Sequence, residues 1–329
     1  MKRVLSLIMI LMVLLLAYGC GGANQTPDAT EQANSPSSEI TSTAPEATNA
    51  QPEAKDKGFT VIDSRGEKVH FDTIPQTIVS LTPSDTEILY ALGAGDKIIA
   101  VSDYCNYPED TQSKKKLPTG ELLNMEELMA LKADVVFLGK MSAMADQIKQ
   151  LEAAGTRVII TEANSLEETY EVIIMTGAVT GLEKEAQALV ENMKKDFEEI
   201  KAKAASIDPV RAYVEVSPLE YGLWSCGRNT FVQEHLDIAG AENIFSELEG
   251  WSAVSEEQVL SKNPEIIFTT ASPITGIADP VGDILKRANW SAIDAIKNNK
   301  VYMLDSDMLS RPGPRLVDAA RQIQDALVQ

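Results

Sequence analysis

Short apolar runs alternate with helical patterns along most of the chain. Each run has five or six residues, most of them apolar, and such runs predict buried strands. The runs are Thr77–Leu81, Lys97–Val101, Asp134–Leu138, Arg157–Thr161, Arg211–Val216, Glu265–Thr270 and Lys300–Leu304. Strands that alternate with helices form parallel sheets covered by helices on both faces, so the pattern predicts an α/β fold.

Local signals predict where several elements begin and end. Ser84-x-x-Glu87 has the form of a capping box, and the helix that it begins is expected to end at Gly93. Upstream of the first buried run, Phe59–Asp63 and Lys68–Phe71 lie on either side of a polar turn. This arrangement predicts a small hairpin at the start of the folded part.

The chain contains an internal repeat. Residues 124–137 align with residues 255–268 without a gap, and every aligned pair is 131 residues apart. The alignment superimposes two expected helix N-caps and places Glu126 on Glu257. Any two capped α/β units resemble each other to some degree, but an ungapped alignment of this length favours two similar lobes.

An amphipathic stretch lies between the two halves of the repeat. From Leu182 to Ser206 the large apolar residues recur three or four positions apart, which predicts one long helix. We expect this helix to join the lobes and to leave a cleft between them; a helix packed within one lobe is the alternative. The predicted organisation is an N-terminal lobe over residues 58–181, the interlobe helix over 182–207 and a C-terminal lobe over 208–329.

The N-terminal residues differ in composition from the rest. Residues 1–19 have the form of a secretory signal peptide, because Lys2 and Arg3 precede the apolar run Val4–Ala17. That run is shorter than the ~20 residues that a membrane-spanning helix requires. Residues 20–57 are mostly small or polar and predict a disordered tether, since they cannot bury enough apolar surface to offset the cost of ordering.

The residues Leu16-Ala17-Tyr18-Gly19-Cys20 resemble the lipobox of bacterial lipoproteins. The resemblance implies cleavage before Cys20 and lipidation of its thiol, which would anchor the protein to the extracytoplasmic face of the cell membrane. An ordinary signal peptide cleaved near Gly22 is the alternative.

Composition and charge exclude some classes of function. The chain is 44% hydrophobic, which argues against wholesale disorder and against a protein with many membrane spans. It has 49 acidic and 29 basic residues, and residues 58–329 alone carry a formal charge of −18. A domain this acidic repels phosphate backbones, so we expect no nucleic-acid partner.

Catalytic and metal-binding motifs do not stand out. The sequence has no G-x-S-x-G, H-E-x-x-H or phosphate-loop motif, so we expect neither enzymatic activity nor a resident cofactor. His70 and His235 have no second ligand at metal-binding spacing, and we expect both at the surface. Cys105 and Cys226 fit no CxxC motif and are expected to be free thiols that are buried or inert; a position lining the cleft, close to Tyr104 and Trp224, is the alternative.

Three motifs resemble class III substrate-binding proteins of ABC importers. They are Ile78–Gly93, Val101–Pro108 and Ser310–Asp318, in the order found in that family. The resemblance extends from about Thr60 to the C-terminus. It implies two Rossmann-like α/β lobes joined by a single long helix.

The family binds cobalamin, ferric siderophores or haem outside the membrane. The second motif is most similar to the cobalamin-binding branch, which implies a cobalt corrinoid as the transported ligand. A ferric siderophore or haem is the alternative ligand, and a cell-surface enzyme built on the same lobes is the alternative class of function.

Aromatic residues are the principal candidates for ligand binding, because apolar and stacking contacts hold a large flat macrocycle. Trp224 and Trp251 lie in predicted loops, where ligands of open α/β sheets bind, although partial core packing would also explain them. Together with Tyr104 they match cleft positions of the family. Arg311 resembles a cleft-facing family position that can contact a polar group of the ligand, and Asp307 is a similar candidate; a surface arginine before a turn is the alternative.

Glu126 and Glu257 are candidates for contact with a protein partner. Acids in a first helical turn complement the helix dipole by ~0.3–1 kcal/mol, and this alone would explain either one. The family resemblance implies that one glutamate of each lobe docks onto arginines of the permease. The expected partners are therefore an ABC permease dimer with its ATPase, a macrocyclic small molecule and the membrane through the lipid anchor, for a protein that is itself a monomer.

Overall fold

A computed structural model of the protein describes residues 58–119, 123–140, 145–271 and 277–329. The predicted signal peptide, Cys20 and the predicted tether lie outside these ranges. Within them, no helix is both long enough and apolar enough to cross a membrane.

The N-terminal lobe is built on a parallel sheet of five strands. An antiparallel hairpin of β1 and β2 precedes the sheet, as predicted, and the sheet order is β5-β4-β3-β6-β7. The strands are β1 (Phe59–Ile62), β2 (Lys68–Phe71), β3 (Ile78–Ser80), β4 (Ile98–Ser102), β5 (Lys115–Leu117), β6 (Val135–Gly139) and β7 (Arg157–Thr161). The helices of this lobe are α1 (Pro83–Ala91), α2 (Met125–Ala130), α3 (Ala145–Ala153) and α4 (Leu166–Thr180).

One long helix, α5 (Glu183–Ala204), follows, and the C-terminal lobe is built on a second parallel sheet. The strands of this lobe are β8 (Val210–Glu215), β9 (Trp224–Cys226), β10 (Ala241–Asn243), β11 (Trp251–Ala253), β12 (Ile266–Thr269) and β13 (Val301–Met303). Its helices are α6 (Phe231–Ala239), α7 (Glu256–Lys262), α8 (Pro280–Leu285), α9 (Asp294–Lys297), α10 (Ser306–Ser310) and α11 (Leu316–Leu327). The parallel sheet has the order β10-β8-β12-β13, and β9 pairs separately with β11 in an antiparallel ribbon.

The two sheets have matching strand orders, which confirms the predicted pair of similar lobes. The order β4-β3-β6-β7 in the first corresponds to β10-β8-β12-β13 in the second. Strands β6 and β12 begin at Val135 and Ile266, which preserves the 131-residue offset of the sequence repeat. The N-caps also correspond, because Asn124 and Ser255 each accept a hydrogen bond from a backbone N–H of the first helical turn.

Helix α5 packs against both lobes, as its amphipathic pattern predicts. Its buried face contacts α4 of the N-terminal lobe and α6 and α11 of the C-terminal lobe. The buried residues of this face are Ala186, Val190, Met193, Phe197, Ile200 and Ala204. A single apolar cluster therefore extends from α1 and α4 through α5 to α6 and α11.

The predicted capping box at Ser84 is wrong. Pro83 occupies the first helical position of α1, where its fixed φ is already helical, so Thr82 is the N-cap. Glu87 is consequently free of any capping role, and its side chain, 2% exposed, forms ion pairs with two arginines of the C-terminal lobe. Arg315 donates two hydrogen bonds to this carboxylate, of 2.8 and 2.6 Å, and Arg311 donates one of 3.0 Å.

The expectation that His235 lies at the surface is also wrong. His235 is fully buried in α6, and its ring is stacked at 6.3 Å, centroid to centroid, on Phe197 of the interlobe helix. Helix α6 turns this side chain inwards because it lies on the apolar stripe with Val232, Leu236 and Ala239.

Protonation of His235 is expected to destabilise the fold in acid. Burial lowers its pKa from 6.5 to about 4, so the unfolded chain binds the proton more tightly than the folded protein does. This contribution to stability is complete above pH 6.5 and is lost as the pH falls towards 4. We expect this group to make the free energy of unfolding about 2 kcal/mol smaller at pH 5 than at pH 7, as measured by urea denaturation.

The variant His235→Phe keeps a flat ring against Phe197 and should remove that part of the pH dependence. His70→Gln, at a partly exposed position of the hairpin, is the control and should retain it. An identical loss of stability in acid in wild type and His235→Phe would contradict the assignment.

Loss of the Glu87 carboxylate is expected to destabilise the protein strongly. Glu87→Leu leaves Arg315 and Arg311 without their shared partner at the lobe junction, and breaking a buried ion pair costs about 3–5 kcal/mol. The exposed pair of Lys195 and Glu199 provides a control, since Glu199→Ala should change the free energy of unfolding by less than about 0.5 kcal/mol. Equal effects of the two substitutions in urea denaturation would rule out a special role for Glu87.

Candidate functional site

A pocket of about 490 Å³ lies between the two lobes and takes its lining from both. On the N-terminal side it is lined by residues at the carboxyl ends of three strands: Thr82 shortly after β3, Gly139 at the end of β6 and Thr161 at the end of β7. On the C-terminal side it is lined by the start of α6 and by Trp251 of β11. Ligands of open parallel sheets bind at this edge, so this pocket is the candidate site.

A larger groove, of about 620 Å³, lies elsewhere on the molecule, but it belongs to the N-terminal lobe alone. It runs between β2 and α3 and is lined largely by charged side chains, among them Arg65, Lys149 and Arg157. The interlobe pocket differs because closure of the two lobes would enclose whatever binds there.

Asp85 is a buried carboxyl group in the lining of the interlobe pocket. It lies in the first turn of α1 with 1% of its surface exposed, and its Oδ2 accepts a 2.8 Å hydrogen bond from the Thr161 hydroxyl. Its Oδ1 has no hydrogen-bond partner among the residues that the structure describes. Burial raises the pKa of Asp85 to about 7, and the hydroxyls of Thr161 and Thr82 offset only part of that rise.

An ion pair and an exposed tryptophan also contribute to the pocket. Lys140 and Glu162, which follow β6 and β7, form an ion pair with each other. Trp251, 48% exposed, lines the pocket from the opposite lobe. The pocket therefore combines a buried acid, a paired charge and an aromatic surface.

The two predicted ligand-binding tryptophans lie on strands, whereas loops were expected. In the β9–β11 ribbon, Trp224 is opposite Ala253, and Trp251 is opposite Cys226. The two tryptophans are therefore diagonal neighbours on one face of the ribbon, within reach of each other's side chains. Their exposed fractions are 42% and 48%, so each tryptophan is partly packed against the protein and also presents apolar surface to solvent.

Tyr104 lies on the other lobe, two residues after the end of β4, and is 61% exposed. Its backbone N–H donates to the hydroxyl of Ser102, which fixes the turn that presents the ring. Tyr104 and Trp224 do not line the pocket itself; each lies beyond the carboxyl end of a parallel strand of its own lobe. Tyr221, 68% exposed and close to Trp224 in the chain, is a further exposed aromatic residue that was not among the predicted binding residues.

Arg311 and Asp307 are engaged with the N-terminal lobe. The Arg311 guanidinium donates to the Oδ1 of Asn106 at 2.7 Å and to Glu87 at 3.0 Å. Asp307 accepts from the Asn106 amide at 2.8 Å and pairs with Arg311 at 2.9 Å. The side chains of Arg311 and Asp307 are 16% and 32% exposed, so a polar group of a ligand would have to share them with these partners.

This network adds a residue that sequence reasoning missed. Asn106 follows Tyr104 in the loop after β4 and joins both Arg311 and Asp307, which lie about 200 positions further along the chain. Nearby, the guanidinium of Arg315 lies 4.3 Å from the centroid of the Tyr107 ring. No periodicity or spacing in the sequence connects residues so far apart.

Glu126 and Glu257 are both exposed, at the second position of α2 and of α7. Among the described residues neither has a salt-bridge partner, whereas the adjacent Glu127 is paired with Lys115. The backbone at the helix start and the Ser255 hydroxyl lower the pKa of Glu257, which favours its ionised form.

Both glutamates lie at the same edge of their sheets as the pocket. Helices α2 and α7 each run antiparallel to the strand that follows them, so their first turns lie near the carboxyl ends of β6 and β12. Each lobe thus presents one exposed acid, unpaired among the described residues, near the carboxyl ends of its sheet.

The two cysteines are buried free thiols, as expected, and they do not line the interlobe pocket. Cys105 and Cys226 are buried in the cores of different lobes, with 1% and 0% of their surfaces exposed. Both are free thiols, and burial raises the pKa of each. Within the described ranges, no three His, Cys, Asp or Glu side chains come together as a metal site.

The sequence and the fold are similar to those of known binding proteins. The family model for periplasmic binding proteins matches residues 78–308. YvrC of Bacillus subtilis (strain 168), named an uncharacterized ABC transporter substrate-binding lipoprotein, is 36% identical over 275 residues, which cover 82% of this chain and 85% of that protein.

Two solved structures share both fold and sequence with this chain. One, of a possible iron-binding (periplasmic solute-binding) protein from Staphylococcus epidermidis ATCC 12228, has a TM-score of 0.69 and 31% identity, and covers 78% of this chain and 100% of its own. The other, of the periplasmic vitamin B12-binding protein BtuF of Vibrio cholerae, has a TM-score of 0.64 and 27% identity, and covers 78% of this chain and 97% of its own. With its two α/β lobes and single connecting helix, the chain therefore belongs to the periplasmic binding protein family and has the class III fold.

Proposed function

We propose that this protein captures a corrinoid of the cobalamin type between its lobes and delivers it to the permease of an ABC importer. Members of the family are extracytoplasmic proteins that bind a small molecule and work with such a permease. The observation that carries the proposal is the exposed tryptophan pair, Trp224 and Trp251, beside a pocket formed by both lobes.

The aromatic character of the exposed surface around the pocket favours a large flat ligand. In the free protein the exposed tryptophans leave apolar surface in contact with water. A macrocycle placed between the lobes would cover that surface, which is favourable. Tyr104 and Tyr221, on opposite lobes, extend this surface beyond the pocket. Arg311 and Asp307 are proposed to orient the polar periphery of the ligand from the lobe junction.

A corrinoid is favoured over the other chelates by likeness to a vitamin B12-binding protein at 27% identity and by the motif Val101–Pro108. Haem or a ferric siderophore is the second candidate, and the relative described as possibly iron-binding supports it. The corrinoid would be cargo and not a resident cofactor, and the protein would perform no bond chemistry on it.

Closure of the lobes on the ligand is expected to be a small movement. Helix α5 contacts both lobes along its buried face, and Glu87 ties α1 to the C-terminal lobe. A wide hinge opening would break the ion pairs of Glu87 and expose the apolar cluster that both lobes share, so only a small movement is expected.

The permease is proposed to dock on Glu126 and Glu257. Both are exposed, unpaired among the described residues and placed equivalently on the two lobes, which suits a symmetric permease dimer with its ATPase. Cys20 is proposed as the lipidated residue that anchors this monomer to the extracytoplasmic face of the cell membrane; the naming of YvrC as a lipoprotein supports this.

Ligand binding can be measured through the tryptophans themselves. Cobalamin and cobinamide are expected to quench the emission of the purified protein in a saturable manner, after correction for their absorption, because Trp224 and Trp251 are exposed whereas Trp290 is fully buried. Haemin and ferric siderophores are titrated in the same way, because they represent the second candidate.

Trp251→Leu should weaken corrinoid binding by about tenfold or more, since it removes a large stacking surface. Phe59→Leu, in the hairpin outside the cleft, should leave the affinity unchanged to within about twofold. Failure of every corrinoid to bind the wild-type protein would remove the leading ligand, and saturable binding of haemin or a siderophore would then favour the alternative.

Charge reversal tests the docking residues separately from ligand binding. Glu126→Arg combined with Glu257→Arg should leave the affinity for the ligand within about twofold of wild type but reduce corrinoid uptake at least about tenfold, because like charges would meet at the interface. Uptake is measured in cells where the variant replaces the native protein.

The matched control for charge reversal is Glu185→Arg with Glu242→Arg, which changes the same total charge at two other exposed positions. Normal uptake is expected in this variant. Loss of ligand binding in the docking variant, or normal uptake by it, would contradict the proposed role.

A further inference from the structure

We infer that the carboxyl group of Asp85 accepts a hydrogen bond from a neutral donor arm of the ligand, a primary amide or a hydroxyl, and that the interlobe pocket thereby rejects ligands whose arm at this point is a carboxylate. The inference rests on the proposed function, because it assigns a chemical class to the ligand of the same site.

Asp85 is a buried residue in the wall of the interlobe pocket. It is 1% exposed, lines the interlobe pocket and is held from one side by the Thr161 hydroxyl on Oδ2. Its Oδ1 has no partner among the described residues, and a buried acceptor without a partner costs free energy in the absence of ligand. A donor entering past Trp251 would satisfy that oxygen.

Several donors in the pocket lining already donate to acceptors of the protein. Thr161 donates to Asp85, the Thr230 hydroxyl donates to the Gly227 carbonyl at 2.8 Å, and the Asn229 amide donates to Glu249 at 2.5 Å. The site therefore offers an unused acceptor, and the single hydroxyl hydrogens of Thr161 and Thr230 are not available to an anion.

The charges of the pocket also disfavour an anionic arm of the ligand. Its acidic groups, among the described lining residues, are Asp85 and Glu162, and its one basic group, Lys140, is paired with Glu162. Asp85 also lies in the first turn of α1, so its own carboxyl group takes the place that an anion would occupy at the positive end of that helix. A carboxylate on the ligand would meet a buried acid with no compensating charge.

The distinction separates the two candidate ligand classes of the proposed function. The corrin ring of cobalamin carries peripheral primary amides, which donate, whereas haem carries two propionates, which are ionised at neutral pH. An amide arm seated at Asp85 would complete its hydrogen bonding. A propionate at the same place would bring a second carboxylate against Asp85, and neither carboxylate could donate a hydrogen bond to the other.

The test compares ligands that differ by one peripheral group. The probes are cyanocobalamin and its monocarboxylic acid derivatives, in each of which one peripheral amide has been hydrolysed. Binding is measured by calorimetric titration of the full chain at pH 8, above the pKa of about 7 that burial gives Asp85. At least one derivative, the one altered in the arm that reaches Asp85, should bind the wild-type protein about tenfold or more weakly than cyanocobalamin.

Asp85→Asn retains the shape of the side chain but adds a donor and removes the charge. In this variant the preference for the amide over that derivative should fall to about threefold or less. Asp96→Asn, at an exposed turn before β4, is the control and should preserve the wild-type preference.

Three results would contradict the inference, and only the last would also contradict the corrinoid proposal. Equal affinity of the wild-type protein for cyanocobalamin and all its derivatives overturns the inference, even if Asp85→Asn does not fold. A preference that survives unchanged in a folded Asp85→Asn variant also overturns it, while corrinoid binding itself stands. Absence of binding by cyanocobalamin and every derivative overturns both this inference and the corrinoid proposal.

Discussion

The packing of one helix against two lobes is the constraint on which the rest of this structure depends. The buried face of α5 contributes to an apolar cluster that includes residues of both lobes, so neither lobe can move far without exposing it. The carboxylate of Glu87 adds a second connection, since three hydrogen bonds from Arg311 and Arg315 would be broken by separation. The pocket between the lobes is therefore largely formed before any ligand arrives.

A preformed cleft explains how this protein can expose aromatic residues and keep a buried acid without losing its fold. Trp251 and Asp85 line the same pocket from opposite lobes, one providing apolar surface and the other an unused hydrogen-bond acceptor. Each would be unfavourable in an isolated domain, and each is tolerable where a ligand can satisfy it. The free energy that holds the lobes together comes from the apolar cluster around α5 and from the ion pairs of Glu87.

Much of the fold could be predicted because its signals are local. The buried strands, the hairpin, the long helix and the two equivalent N-caps at Asn124 and Ser255 all follow from periodicity and capping within a few residues. The errors arose where tertiary contacts override such signals. Glu87 resembles a capping residue but pairs with a distant arginine, and His235 is polar but lies on the apolar stripe of α6.

By itself the sequence determined the α/β class, the repeat that becomes two lobes, and the exposed positions of Glu126 and Glu257, because each depends on spacing along the chain. The tertiary structure alone decided that Asn106, Arg311 and Asp307 form one network and that Asp85 faces Trp251 across a pocket. The physical reason is that such contacts join residues up to about two hundred positions apart, and their geometry depends on how α5 sets one lobe against the other.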